Sequence, residues 1–210
     1  MSVKIKIPVV LTIAGSDSGG GAGIQADLKT FASLGVHGTT VITCITAQNP
    51  KGVLGIQAIK PEMVAKQLEA VFAEFQPRAI KTGMLFSTEI IKVVAKFFRE
   101  HRRVPLMVDP VMMATSGARL LKSSAVQAIE TELLPLAKLV TPNLAEAEVL
   151  VGRRISSLDE MKIAAKEICE KFGCAALVKG GHLRSSAQAM DVFYDGKTEL
   201  VLRTKFIKGI

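Results

Sequence analysis

The sequence contains no tryptophan, one tyrosine and three cysteines among its 210 residues. So few large aromatic side chains give poor support for a surface on which nucleotide bases stack, and we expect no nucleic-acid partner. The cysteines, Cys44, Cys169 and Cys174, are too few for a disulfide framework, and their spacing matches no zinc site. We therefore expect Cys44 and Cys169 to be buried structural residues.

Long apolar runs are also missing, and none reaches the length needed to cross a bilayer. The first residues carry two lysines and then an apolar stretch, but this stretch enters Gly15-Ser16-Asp17 without a small-residue cleavage pattern. It is interpreted as the first strand of the fold. We accordingly expect a cytoplasmic protein that does not associate with membranes.

By contrast, the chain carries a clear net positive charge and is rich in hydrophobic residues. The formal net charge is +8, and hydrophobic residues make up 49% of the chain. Basic residues are spread along the sequence, so most are predicted to be solvated, with a mild preference for anionic substrates. A chain of this length and composition suffices for one α/β domain with a proper core.

Strand-like apolar segments alternate with helix-like segments along the chain. This order predicts parallel βαβ units with helices on both faces of a sheet, and a hairpin around Asp195-Gly196 at the end. The predicted strands are Val9–Ile13, Thr39–Ile45, Gly55–Ile59, Arg78–Lys81, Leu106–Asp109, Leu139–Thr141, Ala175–Lys179, Met190–Tyr194 and Leu200–Thr204. The predicted helices are Gly23–Leu34, Pro61–Phe75, Thr88–Glu100, Ser123–Leu134, Leu144–Val151 and Leu158–Phe172.

A glycine-rich turn joins the first predicted strand to the first helix, within IAGSDSGGGAGIQADLKTF at 13–31. Its five glycines, from Gly15 to Gly23, leave the backbone open to a ligand. Asp27 falls on the first turns of the helix, near the positive end. The spacing matches neither GxxxxGK[ST] nor GxGxxG, so a tight turn without a ligand remains the alternative.

Polar clusters follow six of the predicted strands. Ligands of parallel sheets bind beyond the carboxyl ends of the strands, so this distribution predicts a binding site at that edge. The clusters are Gly15-Ser16-Asp17, Ala47-Gln48-Asn49, Thr82-Gly83-Met84, Asp109-Pro110-Val111-Met112, Thr141-Pro142-Asn143 and Lys179-Gly180-Gly181-His182.

Several residues in these clusters suit particular chemistry. Asp109 at a strand tip is placed for a magnesium ion, or else caps a turn. Asn143 and Glu146 stand three apart, so they either face one magnesium–phosphate group or form a capping box, and the spacing alone favours the capping box. Lys179 beside two glycines either contacts an anionic phosphate chain or is solvated.

Two further side chains suit a small-ligand pocket. The amide of Gln48 supplies hydrogen-bond specificity, and the thioether of Met84 supplies an apolar wall. Together with the strand-end clusters, these residues point to a small-molecule enzyme.

The chain resembles the hydroxymethylpyrimidine/phosphomethylpyrimidine kinase family of thiamine biosynthesis, in the ribokinase-like superfamily. The motifs occur in the family's order and span nearly the whole chain. They are AGSDSGGGAGIQADLKTF (Ala14–Phe31), TAQNPKGV (Thr46–Val53), KTGML (Lys81–Leu85), VDPVMMATSGARLL (Val108–Leu121), TPNLAEAEVL (Thr141–Leu150) and VKGGH (Val178–His182). The resemblance implies a three-layer α/β/α sandwich with a central, mostly parallel sheet.

The resemblance also implies an activity and a substrate pocket. ATP would phosphorylate the hydroxymethyl group of 4-amino-5-hydroxymethyl-2-methylpyrimidine, and a second ATP would phosphorylate the monophosphate. The residues implied to line the pyrimidine pocket, with Gln48 bonding the ring, are Gly15, Asp27, Gln48, Met84 and Val111.

A second implied group serves the nucleotide. Asp109, Asn143 and Glu146 would face the magnesium–triphosphate, with Asp109 and Glu146 as the carboxylates toward the metal. Lys179 would stabilise charge on the phosphates during catalysis. ATP and Mg²⁺ are the implied cofactors, and the family suggests a homodimer.

One family motif is expected to be missing. The next element of the family is a GTGC-type loop that forms an anion hole, whereas the sequence ends at Phe206-Ile207-Lys208-Gly209-Ile210. We expect residues 1–210 to form a single ribokinase-like domain without that loop and its following helices, with severely reduced kinase activity. Two alternatives stay open: a pyridoxal/pyridoxine kinase of the same fold, and a non-catalytic pyrimidine-binding module.

Overall fold

A nine-stranded sheet dominates the computed structural model, which describes residues 7–112, 121–181 and 188–206. The strands are β1 (Val9–Asp17), β2 (His37–Asn49), β3 (Gly52–Ala58), β4 (Ala79–Thr82), β5 (Leu106–Val108), β6 (Leu139–Val140), β7 (Ala175–Lys179), β8 (Gln188–Tyr194) and β9 (Glu199–Lys205). The helices are α1 (Gly23–Ser33), α2 (Pro61–Glu74), α3 (Thr88–Glu100), α4 (Ser123–Ala128), α5 (Leu144–Val151) and α6 (Leu158–Phe172).

The strand order is β3-β2-β1-β4-β5-β6-β7-β8-β9. The six strands from β2 to β7 in this order pair in parallel, while β3 at one edge and β8 and β9 at the other are antiparallel. The parallel centre places six carboxyl strand ends along one edge. The hairpin predicted around Asp195-Gly196 joins β8 to β9 and is confirmed.

The direction of the connection between two strands determines which face of the sheet its helix covers. The connection through α1 runs from β1 outward to β2, whereas the connections through α2 and α3 run the opposite way across the sheet. Since crossovers between parallel strands are right-handed, α1 lies on one face of the sheet and α3 lies on the other. Helix α2 follows the antiparallel strand β3, but it packs on α3 and therefore lies on the same face as α3. The contacts agree, because α1 packs on β1 and β2, while α2 and α3 pack on each other.

Local sequence explains where the helices begin and end. The side chain of Ser87 accepts a hydrogen bond from the Ile90 N–H at the start of α3. Pro61 occupies the first turn of α2, as predicted. Gly152 ends α5 and Gly173 ends α6, both in the left-handed conformation that glycine adopts without strain.

Two differences from the predicted elements concern strand length. A register shift between Ala14 and Ser16 lets β1 continue to Asp17, where a turn was expected. Likewise β2 runs through Gln48 to Asn49 because it pairs with β3 in a hairpin. The clusters expected to follow these two strands therefore lie within them.

A third difference concerns the helix predicted over Ser123–Leu134. Its α-helical part ends at Ala128, and a π-helical turn (Ile129–Leu133) and a 3₁₀ turn (Leu134–Leu136) follow. Pro135 has no N–H to continue an α-helix, which accounts for the change of geometry before β6.

The core lies between the sheet and the helices. Its largest fully buried side chains include Leu11 in β1 and Ile90 in α3. Cys44 and Cys174 are buried as well, while Cys169 is only partly buried, contrary to expectation. Within the described ranges, no helix has the length and apolar character to cross a membrane.

We predict that Leu11→Ala lowers the free energy of unfolding by about 2–5 kcal/mol, because Leu11 is fully buried and its loss leaves a cavity. Leu54→Ala is the matched control, since Leu54 also lies in a strand but is 83% exposed. We expect the control to change the free energy by less than about 0.5 kcal/mol. Urea unfolding followed by circular dichroism measures both, and equal effects would contradict this placement of the core.

Candidate functional site

A cavity of about 350 Å³ opens at the carboxyl ends of β1, β4 and β5. Its volume is within the range of small-molecule sites. All five residues assigned to a pyrimidine pocket line it, and Asp109 lines it too. Those residues are Gly15, Asp27, Gln48, Met84 and Val111.

The glycine-rich turn lies on one side of the cavity. The carboxylate of Asp17 occupies the inside of this turn. Asp17 is 5% exposed and accepts hydrogen bonds from the N–H groups of Gly19, Gly21 and Ala22 at 2.8–2.9 Å. The expectation that a ligand approaches bare peptide groups here is therefore wrong for these three amides. The turn shapes the cavity wall.

Glycine is required at position 15 because the neighbouring side chains leave no room for a Cβ. A Cβ at this position would lie 2.7 Å from the Cys44 sulfur and 3.2 Å from the Met84 methyl carbon. Burial raises the pKa of the Cys44 thiol, which keeps this sulfur uncharged at neutral pH. Met84 is fixed through its carbonyl, which accepts a 2.6 Å hydrogen bond from the Thr43 hydroxyl.

Gln48 is held through its backbone. The Ser18 hydroxyl donates to the Gln48 carbonyl at 2.7 Å and accepts from its N–H at 2.8 Å. The Thr46 hydroxyl contacts the Gln48 side-chain oxygen at 3.3 Å. Among the described residues no hydrogen-bond partner occupies the side-chain nitrogen, so this N–H₂ group is available to a ligand in the cavity.

Asp27 reaches the cavity from α1 and forms an ion pair that the sequence did not reveal. The Lys81 ammonium lies 3.0 and 3.1 Å from its two carboxylate oxygens, and the Thr12 hydroxyl donates to one of them at 2.6 Å. Both charged side chains are about one-sixth exposed. Lys81 also lines the cavity. KTGML was recognised as a motif, but nothing local connects position 81 with a residue 54 positions earlier.

Asp109 and Val111 share the short segment after β5. The Asp109 N–H donates to the Thr82 carbonyl at 3.0 Å, which continues the parallel ladder by one residue. Val111 has a φ of +42°, an outlying conformation for a β-branched side chain. The segment therefore presents a carboxylate and an apolar side chain to one cavity.

Asn143 and Glu146 form the capping box of α5. The Asn143 side chain accepts from the Glu146 N–H, and the Glu146 carboxylate accepts from the Asn143 N–H, each at 3.0 Å. The second oxygen of Glu146 accepts from the Met112 N–H at 3.0 Å. Of the two readings of this pair, the capping box is the arrangement observed.

Burial raises the pKa of the Glu146 carboxyl, and the nearby charge of Asp109 acts in the same direction, while the Asn143 N–H opposes it. Glu146 is 2% exposed and lies outside the cavity lining. It thus stands behind the cavity, at the joint between two strand ends.

Lys179 ends β7 and pairs with Asp109 across the strand ends, nitrogen to oxygen, at 3.2 Å. Its own N–H donates to the Pro142 carbonyl at 2.8 Å, and Asn143 bridges to it in parallel. The Lys179 side chain is 39% exposed, so it reaches solvent at the rim of the site. The residues expected to serve a nucleotide therefore join the cavity through Asp109.

The residues present fit magnesium only in part. Mg²⁺ takes oxygen ligands and is commonly held by one or two carboxylates together with substrate phosphates. The Asp109 carboxylate is partly exposed and has lone pairs free for such a role, whereas both oxygens of Glu146 already accept N–H groups. No cluster of three or more metal-binding side chains occurs in the part of the chain described.

Two parts of the recognised motifs, residues 113–120 and His182, lie outside the described residues. Residues 207–210, which belong to the segment where the GTGC-type loop is expected to be missing, also lie outside the described residues.

Comparison with known proteins identifies the family of this chain. A family model described as phosphomethylpyrimidine kinase matches residues 17–209. The chain belongs to this family. The hydroxymethylpyrimidine/phosphomethylpyrimidine kinase of Rhizobium meliloti is 51% identical over 192 residues, which cover 90% of this chain and 71% of that protein. The thiamine biosynthesis bifunctional protein ThiED of Geobacter sulfurreducens is 50% identical, covering 89% of this chain but 38% of that protein.

Solved structures confirm the ribokinase-like α/β fold. The phosphomethylpyrimidine kinase of Clostridium difficile superposes with a TM-score of 0.87 at 43% identity, covering 95% of this chain and 85% of that one. The pyridoxal kinase of Bacillus subtilis gives 0.88 at 37% identity, covering 97% and 77%. The expected family and fold are confirmed, while the roles of individual site residues stay predictions.

We predict that Asp17→Asn loosens the glycine-rich turn and costs about 1–3 kcal/mol of unfolding free energy, because an amide cannot accept all three N–H groups. Hydrogen exchange at Gly19, Gly21 and Ala22 should accelerate selectively. Asp159→Asn is the control, since that carboxylate is 86% exposed and should change stability by less than about 0.5 kcal/mol. Unaltered exchange at the three amides would refute the role given to Asp17.

Proposed function

We propose that the protein catalyses phosphoryl transfer from ATP to 4-amino-5-hydroxymethyl-2-methylpyrimidine, and then to the monophosphate, in thiamine biosynthesis. In each step the acceptor oxygen forms a bond to the γ-phosphorus as the bond to ADP breaks, and in the first step the hydroxyl proton is released. The observation that carries this proposal is the convergence of Gly15, Asp27, Gln48, Met84 and Val111 on one cavity, in a member of this kinase family.

The cavity suits a small aromatic ring with polar substituents. The Gln48 side-chain N–H₂ group has no hydrogen-bond partner among the described residues and can donate to a ring. The Asp27 carboxylate already accepts from Lys81 and Thr12, and its remaining lone pair can accept from an exocyclic amino group. The Met84 and Val111 side chains provide apolar contact for the ring. These features support ring recognition by hydrogen bonds within an apolar slot.

The nucleotide belongs beside the ring at the neighbouring strand ends. Lys179 and Asn143 lie there, and Asp109 connects them to the cavity. Phosphoryl transfer needs alignment and charge stabilisation more than covalent chemistry. Lys179 would hold and neutralise the phosphates, and Asp109 would hold Mg²⁺. When bound, Mg²⁺ neutralises charge on the phosphates.

A second candidate function is supported by specific neighbours. Structures of pyridoxal kinases from Bacillus subtilis and Staphylococcus aureus superpose with TM-scores of 0.88 and 0.87, and one of the latter holds AMP-PCP and pyridoxal. Pyridoxal likewise carries a hydroxymethyl group on a six-membered nitrogen ring. The curated relatives at 46–51% identity favour the pyrimidine.

Side-by-side assays with the two rings test the proposed function. We expect the pyrimidine to be phosphorylated with a kcat/KM at least about tenfold above that of pyridoxal, a ratio that corresponds to about 1.4 kcal/mol. Mass spectrometry detects the monophosphates, and calorimetry on the same preparation measures ring binding. The opposite preference would favour the pyridoxal reading. Ring binding without transfer, in the full-length gene product as well, would favour a non-catalytic module.

Gln48→Leu tests the ring contact with a side chain of similar size. Loss of the amide should weaken pyrimidine binding about 5- to 100-fold, or about 1–3 kcal/mol, because a hydrogen bond in a buried site is lost. Gln57→Leu is the matched control, since Gln57 lies exposed on β3 and does not line the cavity. Titration calorimetry measures both variants, and an unchanged dissociation constant for Gln48→Leu would place the ring elsewhere.

A further inference from the structure

We infer that Glu146 is a positioning residue that holds Val111 against the substrate cavity, and that it is not a direct ligand of the metal. The inference rests on the proposed function for the identity of the ring, but its structural part concerns the free protein. It joins a strained backbone position after β5 to a buried carboxylate beyond the end of the neighbouring strand β6.

The strain lies at Val111. Its φ of +42° is in the left-handed region, where a branched Cβ is crowded against the backbone. Such conformations persist only where surrounding contacts enforce them. Because Val111 lines the cavity, relaxation of its backbone would move a wall of the ring site.

The enforcing contact lies one residue later. The Met112 N–H donates to one oxygen of Glu146 at 3.0 Å, and Met112 itself is 1% exposed. A buried N–H that lost this acceptor would be left without a partner, which opposes relaxation of the segment. Glu146 therefore fixes the peptide unit that directly follows the strained residue.

The other oxygen of the carboxylate is held in place as well. The second oxygen of Glu146 accepts from the Asn143 N–H, and the Asn143 side chain accepts from the Glu146 N–H. The helix start thus orients the carboxylate, and Glu146 has no oxygen left without an N–H donor. With 2% of the residue exposed, it offers little access to a hydrated cation.

The arrangement links the two halves of the site. Asn143 bridges to Lys179 on the nucleotide side, while Met112 follows the cavity residue Val111. A change at Glu146 should therefore appear in ring binding. A metal ligand would instead change how Mg²⁺ affects nucleotide binding.

Glu146→Gln tests the inference, because an amide offers one acceptor oxygen where two are needed. We expect hydrogen exchange of the Met112 N–H to accelerate at least tenfold in the free protein. The dissociation constant of the pyrimidine should rise about 5- to 30-fold, and the ratio of ADP affinities with and without Mg²⁺ should change less than twofold. Nuclear magnetic resonance measures the exchange, and calorimetry measures the binding.

Glu148→Gln is the matched control on the same helix. Glu148 also accepts a backbone N–H, from Ile155 at 2.8 Å, but away from the cavity. We expect faster exchange at Ile155 and an unchanged dissociation constant for the pyrimidine. An equal rise in both variants would show that general loosening of α5 is responsible, and would overturn the inference.

Val111→Gly tests the strain itself, since glycine adopts a positive φ freely. In that background Glu146→Gln should raise the pyrimidine dissociation constant less than twofold. The same rise in both backgrounds would overturn the coupling to Val111, and a changed Mg²⁺ ratio for Glu146→Gln would overturn the positioning role.

Should Glu146→Gln not fold, rapid exchange of the Met112 N–H in the unaltered protein would overturn the inference, and slow exchange would support it. Absence of pyrimidine binding by the unaltered protein would count against the proposed function, whereas the exchange data would still decide the role of Glu146.

Discussion

The parallel pairing of β1 with β2 on one side and β4 on the other is the constraint on which the site depends. It places the ends of these strands at one edge, so residues far apart in sequence face one cavity. The register shift after Ala14 is part of this constraint, because it carries β1 on to Asp17 beside Thr46. Asp27 on α1 can then reach Lys81 on β4 across the end of β1.

Charges at the cavity are balanced before any substrate arrives. Asp27 pairs with Lys81, Asp109 pairs with Lys179, and Asp17 is surrounded by backbone N–H groups. Such pairs hold the side chains in fixed orientations, so little reorganisation is needed when a ligand binds. Under the proposed function, the Asp109–Lys179 pair would accommodate the charge of the triphosphate and its cation.

Much of the fold was predictable, because apolar periodicity and turn residues mark the elements strongly. All nine strands and six helices occur, and α3, α5, α6 and β7 match residue for residue. The ends of β1 and β2 were missed, since a register shift and a hairpin partner set them. Lys81 and the strain at Val111 were invisible, since one depends on a distant partner and the other on backbone geometry. Gln48 and Met84 were expected in a small-ligand pocket because of their side-chain chemistry near strand ends. The family resemblance assigned Gly15, Asp27 and Val111 to the same pocket.

The carboxylate of Asp17 has a consequence for how the turn behaves among dissolved anions. It is a tethered competitor for the amides of Gly19, Gly21 and Ala22, with an effective concentration on the order of millimolar or higher. Free phosphate or sulfate must displace it and would leave a desolvated carboxylate behind. The shape of this cavity wall should therefore change little with the concentration of free phosphate or sulfate.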